Sequence, residues 1–129
     1  MGRMKRIPLG MVVIAVVMFF VAVATDIFWI ARIAGKAFPP TMPVEQSVYN
    51  SFAAPDIILS IFLYVGALGL LKLRRYGWAA SLVAMGMWIF DSLLVFGITG
   101  LTRINIIGPS LFFAFFSLGY LWIRRDLFH

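Results

Sequence analysis

The feature that most constrains this chain is a set of four long apolar runs, at residues 7–31, 55–73, 78–98 and 104–123. A helix needs about 20 apolar residues to cross a hydrocarbon core about 30 Å thick, and each run has that length. The runs predict an all-α fold, an integral membrane four-helix bundle. The length of 129 residues favours a single transmembrane domain, residues 1–129, with no separate soluble domain.

Composition supports the same class. Hydrophobic residues make up 63% of the chain and charged residues 12%, against roughly 45–50% and about 25% in soluble domains. The chain has no cysteine, which excludes disulfides, iron–sulfur clusters and thiolate chemistry, and its only histidine is His129. We therefore expect no cofactor, no metal site and no catalytic residue.

The basic residues predict the orientation in the membrane. Only Arg32, Lys36 and Arg103 fall on one side, and the positive-inside rule places the larger, opposite group in the cytoplasm. That group is Arg3, Lys5, Arg6, Lys72, Arg74, Arg75, Arg124 and Arg125. We expect a multi-pass protein of the cell membrane with both termini cytoplasmic. The net charge of +6 indicates contacts with anionic lipid head groups, not nucleic acid.

The connection between the first two runs is the longest. Prolines within residues 38–43 interrupt any helix there. Val44, Val48 and Phe52 recur at intervals of four, which favours a short surface helix with its apolar face toward the membrane.

Short turns join the other runs. Residues 74–77 and 100–103 are predicted as tight turns, so consecutive runs should be antiparallel neighbours. Gly66, Gly69 and Gly77 are small enough to let helices approach closely, which is typical of plain helix packing in membranes.

Three aspartates mark the candidate site. A charged side chain within a bilayer costs roughly 2.5–3.5 kcal/mol on insertion scales. At about 1.5 Å per residue, Asp26 lies about 28 Å and Asp91 about 20 Å from the inner start of its run. Asp56 lies just inside the outer end of the second run, so all three are expected in the outer half of the membrane.

Neither Asp26 nor Asp91 has a cationic partner three or four residues away on its own helix. Partners must come from another helix, water or a ligand. Polar and aromatic side chains at the same depth predict an apolar pocket with a few convergent polar groups, typical of a small-molecule site. Its predicted members are Asp26, Asp91, Asp56, Arg32, Arg103, Asn105, Trp29 and Trp88, with Thr25, Tyr49 and Asn50 nearby.

Two interpretations of these carboxyl groups stay open. Asp26 or Asp91 pairs with Arg103 or Arg32 and fixes the helix register, or the carboxyl groups form a ligand, ion or proton site. Asp56 follows Pro55 at a helix start, where a carboxylate compensates the helix dipole.

The leading functional hypothesis is a non-enzymatic membrane protein with an outward-facing acidic pocket. The pocket would take a cationic or lipophilic small molecule, or pass protons or cations, with a homo-oligomer as one arrangement. The alternative is an accessory or scaffolding subunit of a larger membrane complex. A third hypothesis, an intramembrane hydrolase, requires Asp26 and Asp91 within hydrogen-bonding reach.

Residues 55–78, from Pro55-Asp56 to Arg74-Arg75-Tyr76-Gly77-Trp78, resemble a family of small, uncharacterised prokaryotic membrane proteins with four transmembrane helices. The resemblance covers two runs and their turn and implies the fold without an activity. More loosely, the positions of Asp26 and Asp56 are similar to those of the acidic residues in the sterol-isomerase and sigma-2 receptor fold, which implies a pocket.

Overall fold

A computed structural model of the chain describes residues 7–33 and 53–128, and almost all of them are helical. The helices are α1 (Leu9–Ile33), α2 (Ala53–Leu71), α3 (Arg75–Thr99) and α4 (Ile104–Ile123). Short 3-10 turns follow α3 at Gly100–Arg103 and α4 at Arg125–Leu127. This confirms the all-α class for the described residues; the predicted surface helix around Val44 and Val48 lies outside them.

Three segments of the described chain are long and apolar enough to cross a membrane. They are Leu9–Arg32, Ala53–Leu71 and the 49-residue stretch Arg75–Ile123, which contains both α3 and α4. Large apolar side chains also face outward, as Phe112 does with 73% of its surface exposed. An exterior of this kind is stable in lipid and not in water, which supports the membrane class.

The third segment folds back on itself. The Trp78 indole N–H donates a hydrogen bond of 2.8 Å to the carbonyl oxygen of Leu121. In one straight helix these residues would lie about 65 Å apart, at 1.5 Å per residue. The rings of Trp88 and Phe113 also meet, with centroids 5.2 Å apart. The two helices therefore form an antiparallel hairpin.

The turn between α2 and α3 lies earlier than predicted. The reversal occurs around Leu73, which has a positive φ of 53°, and α3 begins at Arg75. Gly77 therefore belongs to the first turns of α3, where its backbone contacts that of Gly69 directly. The small size of Gly77 allows the two helices to touch and is not needed to reverse the chain. The predicted turn at residues 74–77 was therefore wrong in position.

Each helix packs extensively on its neighbour in the chain. The fully buried side chains are apolar for the most part and include Met11, Ile14, Met18, Leu63, Leu70, Met85 and Leu121.

The two ends of the helices differ in charge. We call the end with Asp26, Asp56 and Asp91 the acidic end. The opposite end, the basic end, carries Lys72, Arg74, Arg75, Arg124 and Arg125.

Candidate ligand pocket

A cavity of about 330 Å³ opens between the helices at the acidic end. Helices α1 to α4 all contribute to its wall, which combines aliphatic side chains with two carboxyl groups and three hydroxyl groups. The wall residues are Val21, Thr25, Asp56, Leu59, Trp88, Asp91, Ser92, Val95, Ile106, Ile107 and Ser110. Its volume lies at the lower end of the range of about 300–1,000 Å³ for small-molecule sites.

Two carboxyl groups meet at this wall. The side chain of Asp91 on α3 lies beside that of Asp56 on α2. The cavity therefore presents two adjacent acidic groups to a molecule that occupies it.

Trp29 positions Asp56 from the neighbouring helix. Its indole N–H donates a hydrogen bond of 2.9 Å to a carboxyl oxygen of Asp56, and only 4% of the Trp29 surface is exposed. Asp56 also lies in the first turn of α2, where the helix dipole favours a negative charge. Asp56 is thus held by an indole donor from α1 at the start of its own helix.

Asp26 has a different partner from the other two aspartates. The Tyr64 hydroxyl, on α2, donates a hydrogen bond to Asp26. The side chain of Asp26 does not form part of the cavity wall, although its neighbour Thr25 does. The structure thus brings Asp91 together with Asp56, whereas the hydrolase hypothesis required Asp91 to meet Asp26.

The other predicted site residues are placed in different ways. Trp88 lies in the cavity wall. Trp29 is not in the wall but donates a hydrogen bond to the wall residue Asp56. Asn105 is exposed near the start of α4. Arg32 and Arg103 are half-buried, in the last turn of α1 and at the end of the 3-10 turn, and neither lines the cavity. Tyr49 and Asn50 lie outside the described residues.

Ser92 and Ser110 are wall residues that sequence reasoning missed. The sequence did contain a signal for them, because the depth of a residue in the membrane can be counted from the turn that begins at Gly100. Asp91 lies nine residues before Gly100 and Ser110 lies ten residues after it, so an antiparallel hairpin places them at a similar depth. Ser92 then follows as the adjacent residue on α3.

Within residues 7–33 and 53–128, fully buried apolar side chains lie between the cavity and the basic end. Leu63, two helical turns beyond Asp56, and Met85, six residues before Asp91, are both fully buried. Met18 of α1 is fully buried as well and reaches the Gly66 position of α2. These apolar side chains close the space below the carboxyl pair.

The described residues contain no group of three or more histidine, cysteine, aspartate or glutamate side chains arranged to hold a metal ion. Comparison of the chain with protein-family models, curated proteins and solved structures finds no match.

Proposed function

We propose that this protein is a four-span protein of the cell membrane that binds a cationic small molecule with an apolar body. The binding site is the cavity at the acidic end, with the Asp56–Asp91 pair as the anionic partner. The acidic end faces outward and both chain termini are cytoplasmic, as the distribution of basic residues indicates.

The observation that carries this proposal is the carboxyl pair at the wall of an otherwise largely apolar cavity. A clamp that fixed helix register would pair opposite charges, because attraction between them offsets part of the cost of burial. Two acids gain no such attraction from each other. A cation bound in the cavity would supply it, and the aliphatic wall would hold the apolar part of the same molecule.

The apolar layer below the cavity favours binding over passage. An ion moving toward the basic end would have to pass Leu63 and Met85, which are fully buried and offer no polar group. Passage of protons or cations would require this layer to open. Binding requires only the cavity as it stands.

Equilibrium binding of radiolabelled dodecylamine, which is protonated at pH 7, tests the proposal. The protein is reconstituted in lipid nanodiscs, and empty nanodiscs give the background. We expect Asp91→Asn to weaken binding at least about tenfold, equivalent to about 1.4 kcal/mol. Asparagine keeps the shape of the side chain and can donate to Asp56, so the fold should survive.

Asp126→Asn is the matched control, because Asp126 is an exposed carboxyl at the basic end. Its dissociation constant should equal that of wild type. Binding by wild type no greater than by empty nanodiscs, or equal binding by Asp91→Asn, would refute the proposal.

A further inference from the structure

The helices at the two ends of the described chain, α1 and α4, form the open side of the cavity. Each helix packs extensively on its neighbour in the chain, but within the described residues α1 and α4 share no comparably extended contact. The line along which they face each other is called here the α1–α4 seam.

The seam is closed near the basic end. A side-chain carbon placed on Gly10 of α1 would lie 2.7 Å from the Tyr120 ring of α4, so the two helices touch there. This contact is possible because residue 10 has no side chain.

The seam separates toward the acidic end. Val21 and Thr25 of α1 face Ile106, Ile107 and Ser110 of α4 across the cavity itself. Thr25 lies 15 residues beyond Gly10, a rise of about 22 Å along α1. The α1–α4 seam is therefore filled by the Tyr120 side chain at one end and lines the cavity at the other.

The edge of this opening carries aliphatic side chains together with the hydroxyl groups of Thr25 and Ser110. Ile106 belongs to the cavity wall and is 56% exposed. Val21 on the opposite helix is half-buried and also aliphatic. The carboxyl groups belong to the other two helices of the wall, α2 and α3. A molecule in the bilayer would meet these aliphatic and hydroxyl groups at the edge and the acid pair on the other two helices.

A proline interrupts the backbone hydrogen bonding of α4 close to the cavity. Pro109 lies inside this helix and has no backbone N–H, so the Asn105 carbonyl lacks its usual helical donor. Ile106 and Ser110, which are next in sequence to Asn105 and Pro109, both line the cavity.

We propose that the ligand enters the cavity sideways from the bilayer, through the α1–α4 seam. This inference rests on the proposed function and narrows its ligand class to amphiphilic amines that dissolve in the membrane. The ammonium group would reach Asp56 and Asp91, and the alkyl chain would extend past Val21 and Ile106 into lipid.

Cross-linking the seam tests this route, and the absence of native cysteine makes every introduced thiol unique. Val21→Cys combined with Ile106→Cys is joined by a bifunctional methanethiosulfonate, which a reducing agent removes. The rate of dodecylamine association is measured in nanodiscs before cross-linking, after it, and after reduction. We expect the cross-link to slow association at least about tenfold and reduction to restore the rate.

The matched control joins α2 to α3 on the acidic side, through Ile57→Cys and Phe90→Cys. Both residues are exposed, next in sequence to Asp56 and Asp91, and outside the cavity wall. The cross-link in this control variant should leave the rate of dodecylamine association unchanged. Unchanged association in the cross-linked seam variant would overturn lateral entry and leave the proposed function intact. Absence of dodecylamine binding by every form, including wild type, would instead overturn the proposed function.

Discussion

At the scale of single residues, the Trp29 indole holds a carboxyl group of another helix in a defined place. Its hydrogen bond to Asp56 joins residues 27 apart in sequence. Trp29→Phe keeps the aromatic ring and removes the donor. We expect the free energy of unfolding to fall by about 1 kcal/mol, because a partly buried acceptor loses a partner. Melting in mild detergent measures this.

Trp122→Phe is the control for that prediction. Trp122 is exposed at the basic end, and a phenyl ring can retain its stacking on Trp78. It should melt close to wild type. Equal destabilisation by the two substitutions would show that the Trp29 hydrogen bond contributes nothing specific.

Ser117 makes a second prediction at this scale. Its hydroxyl is fully buried and has no hydrogen-bond partner among the described residues. Because an unsatisfied buried hydroxyl is costly, Ser117→Ala should raise the free energy of unfolding by about 1 kcal/mol.

Ser81→Ala is the matched comparison, because the Ser81 hydroxyl donates to the Gly77 carbonyl at 2.6 Å. This substitution should not stabilise the protein. A lower melting temperature for Ser117→Ala than for wild type would contradict the interpretation.

The limits of sequence reasoning are visible in the aspartates. Their burial near one end could be predicted, since an apolar run fixes the depth of any residue within it. The position of Asp56 at the start of a helix could be predicted from the sequence. Its contact with Asp91 could not, because that contact depends on the rotation and register of α2 against α3. Trp29 was predicted at the site, whereas its role as the donor to Asp56 needed the structure.

At the scale of helices, the contact of Gly69 with Gly77 determines how closely α2 and α3 can pack. Their backbones touch, so a methyl group at either position would collide with the other helix. We expect Gly69→Ala to lower the free energy of unfolding by about 1–3 kcal/mol, because the helices must separate. Thermal melting in mild detergent checks this.

Gly86→Ala is the control, because nothing lies within 4 Å of a side-chain carbon placed there. Alanine favours a helix over glycine by about 1 kcal/mol, so this variant should be as stable as wild type or more so. If Gly69→Ala and Gly86→Ala melt alike, close backbone contact is not what limits the α2–α3 packing.

The helices were easier to predict than the turn between them. The apolar runs fall within the three segments that are long and apolar enough to cross a membrane, since any membrane helix must contain such a run. The turn was placed too late because Arg74 to Gly77 combines polar residues with glycine. Gly77 is a glycine because its backbone contacts that of Gly69 on the neighbouring helix. The local sequence does not reveal this contact.

At the scale of the whole molecule, the α3–α4 hairpin predicts where each turn meets water. With the proposed four crossings, Thr102 in the exposed turn after α3 lies outside the cell, and Asp126 after α4 lies inside. Single Thr102→Cys and Asp126→Cys variants in intact cells are treated with a membrane-impermeant maleimide. Thr102→Cys should react directly, and Asp126→Cys only after permeabilisation.

Direct reaction of Asp126→Cys, with Thr102→Cys reacting only after permeabilisation, would show that the protein has the opposite orientation in the membrane. Failure of Thr102→Cys to react from either side would indicate that the stretch Arg75–Ile123 does not bring this turn to a membrane surface. The unmodified chain is the blank, because it carries no thiol.

The central claim is that the acidic pair recognises a positive charge in an apolar cavity. The most direct measurement compares the dissociation constants of dodecylamine and 1-dodecanol for the wild-type protein in nanodiscs, each corrected for empty discs. The chains are equal in length, and only the head group differs in charge. Binding of the amine at least about tenfold tighter than the alcohol, a difference of about 1.4 kcal/mol, is the predicted result. Equal affinities would contradict the account, because the carboxyl groups would then contribute no recognition.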